Sequence, residues 1–346
     1  MSVTKEAREA MLAKIIEEIG NNPDTFSSAE IAKRENVTIQ SIYRYLKKLE
    51  NDGKVVKVKH GNKNFFSLAE ETTIKIFARD GLEEDNVWRN FAMPFFNELP
   101  KIAKDNLMYA FTEILNNAID HSEGSSITIS LMKNGYIARA AITDDGVGIF
   151  TKVSDALHLE DKRFAILELA KGKFTTEPES HTGEGIFFSS KVVDSFAILS
   201  DGLVFLGNAT ENETYMDSSP FNGKGTTVFL DIKYSHSETC SAVFDKFTQV
   251  PETYGFSKTI VPVRLLEYKD EAPLVVSRSQ AKRLMVRFEK FENIILDFNG
   301  IDEIGQGFAD ELFRVFPKQH PNTKLAPINC SDAVLRMIKR VTTNQN

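Results

Sequence analysis

Glu113, Asn117 and His121 recur at every fourth residue of FTEILNNAIDHS, so on a helix they form one polar stripe. Ile114, Leu115, Ala118 and Ile119 flank that stripe with apolar side chains. A surface helix ordinarily presents Lys and Glu on a solvated face. An acid, an amide and an imidazole set into an apolar helix therefore indicate that something polar binds against it. Three glycine-bearing segments follow. Asp144-Asp145-Gly146-Val147-Gly148 ends an alternating stretch, His181-Thr182-Gly183-Glu184-Gly185 opens the apolar helix IFFSSKVVD, and Gly223-Lys224-Gly225-Thr226-Thr227 leads into VFLDI. Glycines at a helix start let backbone N–H groups approach an anion, and the helix N-terminus favours negative charge.

The elements that must position these groups are legible around them. SITISLMKNGYIARAAIT reads as two alternating strands joined at Asn134-Gly135, a strong hairpin signal. The second strand runs straight into Asp144. Pro94 and Pro100 break the helical region that ends in the polar stripe, and the mixed segment before it, with RDGLEEDN, reads as a linker.

Taken in order, the four pieces resemble the GHKL ATPase superfamily, which includes DNA gyrase B, mismatch-repair ATPases, the heat-shock chaperone ATPase, histidine kinases and anti-sigma serine kinases. The resemblance covers about residues 90–235. It implies that Asn117 coordinates a Mg²⁺ bridging the phosphates, and that Glu113 orients or deprotonates the attacking water or hydroxyl. It also implies that Asp144 accepts a hydrogen bond from the adenine amino group while Gly146 and Gly148 turn beneath the base. Thr182, Gly183 and Gly185 match the phosphate loop, and Thr226 matches a threonine near the adenine. Two positions depart from the family pattern: His181 stands where a further glycine is usual, and Glu184 where a leucine or similar residue is usual. A lid over roughly residues 150–180 holds Lys171 and Lys173, each read as a solvated lysine that could also reach a γ-phosphate. His121 is read as a helix-end residue rather than a phosphoacceptor.

Upstream, Ser27-Ser28-Ala29-Glu30 has the form of a capping box, Asn36-Val37-Thr38 of a tight turn, and Thr38 of the cap on a helix through about Glu50. KVVKVKHGNKNFFSL alternates around Gly61-Asn62 as a two-stranded ribbon does. This order resembles a winged helix-turn-helix, which implies that the helix over 38–50 enters the major groove, with Gln40, Ser41, Arg44 and Lys47 as DNA contacts. From Lys33 to Leu68 the chain holds nine Lys/Arg against three Asp/Glu, although its net charge is −7. A basic block inside an acidic chain suggests a polyanionic partner.

Downstream, PLVVS, RSQAKRLMVRFEKF, NIILDFNG, GFADELFRVF, KLAPIN and SDAVLRMIKR alternate apolar runs with amphipathic helices, as a buried α/β sheet requires. IILDFNGIDEIGQGFADELF resembles a divergent STAS fold of the anti-anti-sigma type. In that family a serine after the central strand is phosphorylated, but positions 280–322 here contain neither Ser nor Thr.

The chain is thus expected to be an α+β multidomain protein: winged helix-turn-helix at 1–70, linker at 71–89, GHKL α/β sandwich at 90–235 and STAS-like α/β domain at 236–346. Two cysteines are too few for a disulfide framework, and the charged N-terminus is unlike a signal peptide. The expected protein is cytoplasmic and contacts no membrane. It binds ATP with Mg²⁺, with hydrolysis as the expected activity implied by the resemblance, and acts as a nucleotide-controlled DNA-binding transcriptional regulator. The alternative is an anti-sigma-type protein serine/threonine kinase acting on a separate partner. Hydrolysis, phosphotransfer and binding alone stay open on the sequence, as do a protein partner of the STAS-like domain and a homodimer reading two half-sites.

Overall fold

Short capped helices build the N-terminal unit. In the computed structural model, which describes residues 4–22, 26–60, 63–174, 183–207, 214–216, 223–248, 257–266 and 275–343, it comprises α1 (Lys5–Asn21), α2 (Ser28–Arg34) and α3 (Ile39–Asn51). The antiparallel pair β1 (Val55–His60) and β2 (Lys63–Leu68) completes it. Ser27 and Thr38 cap α2 and α3 by accepting from the Glu30 and Ser41 amides at 3.4 and 3.2 Å. Ile15, Ile19, Ile31, Ile42, Leu46 and Leu49 make its core with Val55 and Phe66. Gly61 and Asn62, the expected ribbon turn, lie outside the described residues.

The segment expected as a linker is not one. Its first half forms β3 (Glu71–Ala78), which pairs antiparallel with β4 (Ser126–Lys133) along its whole length. The other half carries α4 (Glu84–Val87), continued through α5 (Met93–Phe95) towards α6 (Lys101–His121). The signal was weak because β3 is an edge strand with Ile74 and Ile76 facing outward, 67% and 68% exposed, so its apolar alternation does not mark a buried face.

After β5 (Ile137–Asp144) come α7 (Ile149–Leu157), α8 (Arg163–Lys171) and α9 (Gly185–Val192), then β6 (Ser195–Ser200), β7 (Leu203–Gly207), β8 (Thr214–Met216) and β9 (Thr226–Lys233). The seven strands lie in the order β3-β4-β5-β9-β6-β7-β8, every pair antiparallel. The last of these seven strands in sequence, β9, thus sits in the middle, between β5 and β6. Helices α6 and α9 cover one face, where Leu107, Phe111 and Leu115 pack with Ile129, Ala140, Ile142, Ile198 and Leu230. Asn134 Oδ1 accepts from the Tyr136 and Ile137 amides at 2.8 and 2.9 Å, which fixes the β4–β5 turn. The N-terminal unit rests on this turn: Tyr136 donates its hydroxyl to Asn21 Oδ1 at 2.5 Å.

The C-terminal unit follows α10 (Cys240–Phe247). Its sheet has three parallel strands, β10 (Lys258–Pro262), β11 (Asn293–Asp297) and β12 (Lys324–Ile328). Of the expected strand PLVVS, Pro273 and Leu274 lie outside the described residues, and Val275 makes a bridge to Ile304; KTIVP takes the strand position, an upstream five-residue run too short to announce itself. Helices α11 (Arg278–Met285), α12 (Gln306–Asp310), α13 (Phe316–Gln319) and α14 (Asp332–Thr343) pack around the sheet. A full capping box between Ser277 and Gln280 starts α11. The apolar core of this unit is continuous with that of the seven-stranded layer. Among the described residues no helix is long and apolar enough to cross a membrane.

Candidate nucleotide site

A cleft of about 1180 Å³, open to solvent, lies between α6, the ends of β5 and β9, and the start of α9; Glu113, Asn117, His121, Asp144, Gly183, Gly185 and Thr226 all line it. The polar stripe of α6 therefore faces a cavity, while Ile114, Leu115 and Ala118 are buried beside it. Asn117 has a buried side-chain nitrogen without a hydrogen-bond partner among the described residues. A buried amide left unsatisfied is costly, and the residue that carries it lines the cleft.

Asp144 closes the opposite wall. It is buried, and desolvation pushes its carboxyl up to about 6, against hydrogen bonds from the Gly146 and Thr226 amides that stabilise the anion. Gly225 makes this wall possible: its φ is +86°, and a Cβ there would lie 2.0 Å from the Asp144 carbonyl oxygen. Gly146 packs against the Ser122 carbonyl and Gly148 caps α7 beside Asp201; both shape the loop, while Val147 and Ile149 reach the cavity itself. The Thr226 hydroxyl accepts from the Ile149 amide at 3.0 Å, so it ties the start of α7 to β9.

At the phosphate end, Gly185 opens α9 directly against the acid of α6; a Cβ there would lie 2.3 Å from Glu113 Oε2. His181 and Thr182 lie outside the described residues. Glu184 is half-buried, its carboxyl raised by desolvation and drawn back by Lys173. Of the two lysines expected to be solvated, Lys171 is not, and Lys173 is half-buried. Lys171 is fully buried, its Nζ donating to Glu168 Oε1 at 2.5 Å and the Val286 carbonyl at 3.0 Å. Lys173 Nζ donates to the Lys290 carbonyl at 3.0 Å. Both are taken up by the C-terminal unit, which their local sequence does not reveal.

Among the described residues, the lysine that lines the cleft is Lys152, from α7. It donates to the His121 carbonyl and pairs with Glu123 at 2.8 Å. Sequence reasoning missed it, although its position one helical turn after Gly148 was a usable signal. Phe174 adds an aromatic wall.

On α3, Gln40, Arg44 and Lys47 are exposed and Ser41 is half-buried, bonded to Thr38. Tyr43, not expected as a contact, is 53% exposed on the same outward face beside Ile39. Lys48 is paired with Asp52, whereas Arg44 and Lys47 have no ion-pair partner among the described residues.

Comparison with protein families accounts for this layout. Residues 103–236 match the family of histidine kinase-, DNA gyrase B- and HSP90-like ATPases. Residues 12–62 match an HTH domain, and residues 280–335 a STAS-like domain of unknown function. The chain thus carries, in this order, a helix-turn-helix, a GHKL-type ATP-binding domain and a STAS-like domain. No curated protein matches it.

Proposed function

We propose that the chain is a nucleotide-controlled DNA-binding regulator whose central cleft takes Mg·ATP. The observation that carries this reading is the convergence of Asp144, Asn117, Glu113 and the Gly183–Gly185 turn on one cavity, in a chain whose helix-turn-helix exposes Arg44 and Lys47 without an ion-pair partner among the described residues. The glycine-lined walls leave room for phosphates, and the amide oxygen of Asn117, a residue that lines the cleft, is the donor type a hard cation takes. Ionised Asp144 accepts from the adenine amino group. Backbone N–H groups at the start of α9 receive the phosphates. Asn117 would hold Mg²⁺ together with phosphate oxygens and water, and the metal, when bound, neutralises charge on the phosphates. Glu113 orients the attacking water and takes its proton.

Two measurements test this reading. Calorimetric titration with Mg·ATP should give heat, and anisotropy of labelled duplex DNA should change with nucleotide. No heat with any adenine nucleotide would remove the first half of the proposal; DNA affinity indifferent to nucleotide would remove the second.

Glu113 also supports a second reading, a serine/threonine kinase acting on a separate protein. Within this chain the usual acceptor place is closed as well as mute. Gly305 stands there, its amide donates to the Val275 carbonyl at 2.9 Å, and a Cβ would lie 2.6 Å from Val276. Transfer of label from γ-labelled ATP to protein would favour the kinase, and release of free phosphate alone the regulator.

A further inference from the structure

Helix α8 has no solvated face: every residue from Phe164 to Lys171 is buried. One side is explained by the cleft, which Leu169, Gly172 and Phe174 line. The other is covered by the C-terminal unit, and the contact is polar where a simple packing contact would be greasy. Arg287 donates to Glu168 Oε2 at 3.3 Å and to the Gly172 carbonyl at 3.0 Å. Its guanidinium also lies 5.4 Å from the centre of the Phe174 ring. Thr259 donates to the Lys171 carbonyl at 2.8 Å. With the Lys171 and Lys173 bonds to Val286 and Lys290, three consecutive residues, 171–173, are each held by the C-terminal unit immediately before the chain enters the cleft wall at Phe174.

Glu168, Lys171 and Arg287 are a buried charge cluster, and Arg287 adopts a left-handed backbone, φ +63°. Buried charges are tolerated only while mutually satisfied, and removing one partner leaves the others uncompensated. A non-glycine residue in that backbone region persists because its surroundings hold it. Such a cluster has one good arrangement, so it fixes the position of whatever it grips.

We infer that Arg287 is a positioning residue for the nucleotide site, acting through Gly172 and Phe174, and that the STAS-like unit braces the cleft wall at residues 168–174 within the same chain. Nucleotide occupancy and docking of that unit are then coupled, each strengthening the other by the same factor. This rests on the reading of the cleft as a nucleotide site.

The test uses the full-length chain, calorimetry and amide hydrogen exchange with a non-hydrolysable ATP analogue and Mg²⁺. Wild-type protein should give binding heat, and the amides of residues 283–291, outside the cleft, should exchange more slowly when it is saturated. Absence of heat would defeat the nucleotide reading itself. Heat with unchanged exchange at 283–291 would leave that reading standing and overturn the brace. Arg287→Ala should weaken analogue binding about tenfold and speed exchange over 163–174, with Arg287→Lys intermediate. Should Arg287→Ala fail to fold, Thr259→Val, which deletes only the hydroxyl on the Lys171 carbonyl, carries the same criterion. Folded Arg287→Ala, or Thr259→Val in its place, with wild-type affinity and wild-type exchange over 163–174 would overturn the inference.

Discussion

Asp144 and Asp145 are adjacent in the chain, and their carboxyls are pushed in opposite directions. Burial raises Asp144 to about 6. Hydrogen bonds from the Ser126 and Ser125 amides and hydroxyls, at 2.7 to 3.0 Å, hold Asp145 well below the usual carboxylate range. The exposed neighbour is a structural clasp between β5 and the start of β4. The buried one is left to meet a ligand.

A pH dependence follows from the raised value. Ionised Asp144 is a stronger acceptor for an adenine amino group than the neutral acid, so binding favours the ionised form. Affinity should be flat above about pH 7 and fall as pH drops through about 6, approaching a factor of ~10 per pH unit below it. Asp144→Asn should bind weakly and lose this dependence. Calorimetry from pH 5 to 8 measures both, and an unchanged affinity across that range would separate Asp144 from base recognition.

Glu113→Gln should leave Mg·ATP affinity within about threefold and reduce turnover by roughly 100-fold or more, because the acid addresses the attacking water rather than the nucleotide. Single-turnover phosphate release distinguishes the two effects. Equal turnover in the variant would remove Glu113 from the chemistry.

Gly225→Ala places a methyl group against the Asp144 carbonyl in a backbone region that alanine avoids. A cost of roughly 1–3 kcal/mol is expected, read as a lowered midpoint in thermal unfolding, together with loss of nucleotide binding. Gly53→Ala is the control for the backbone term alone, since Gly53 has φ +69° and open space around it. The Gly225 variant should be hit harder in binding than the Gly53 variant.

Arg44→Ala and Lys47→Ala should each weaken binding to duplex DNA and lower the slope of log affinity against log salt by about 1 if the side chain meets a phosphate. Tyr43→Ala should lower affinity with the salt slope unchanged, because a ring contributes packing and not charge. Anisotropy titrations from about 50 to 200 mM salt give both quantities.

The candidate cleft was readable because its lining is written in short local segments. A four-residue period placed Glu113 and Asn117 together, and glycines beside Asp144 and at the start of α9 marked close backbone approach. What escaped was set by distant contacts. An ammonium that is solvated in one context is buried in another, and nothing near Lys171 states that Val286 and Arg287, more than a hundred positions on, will enclose it. Strand β3 escaped for the opposite reason: its ladder bonds to β4 come from the backbone, and its outward isoleucines carry no burial pattern. Lys152 and Tyr43 were visible in the sequence but carry no motif, and only the folded geometry sets them beside the residues that do.

Strand β5 begins beside Tyr136, where the helix-turn-helix unit is hydrogen-bonded, and ends at Asp144 in the cleft. It spans roughly 24 Å at the ~3.4 Å per residue of an antiparallel strand, and it is clasped along both edges, by β4 and by β9. A ribbon bound on two sides does not flex alone. Its two tips therefore keep a fixed separation and orientation, whatever is mounted on either one.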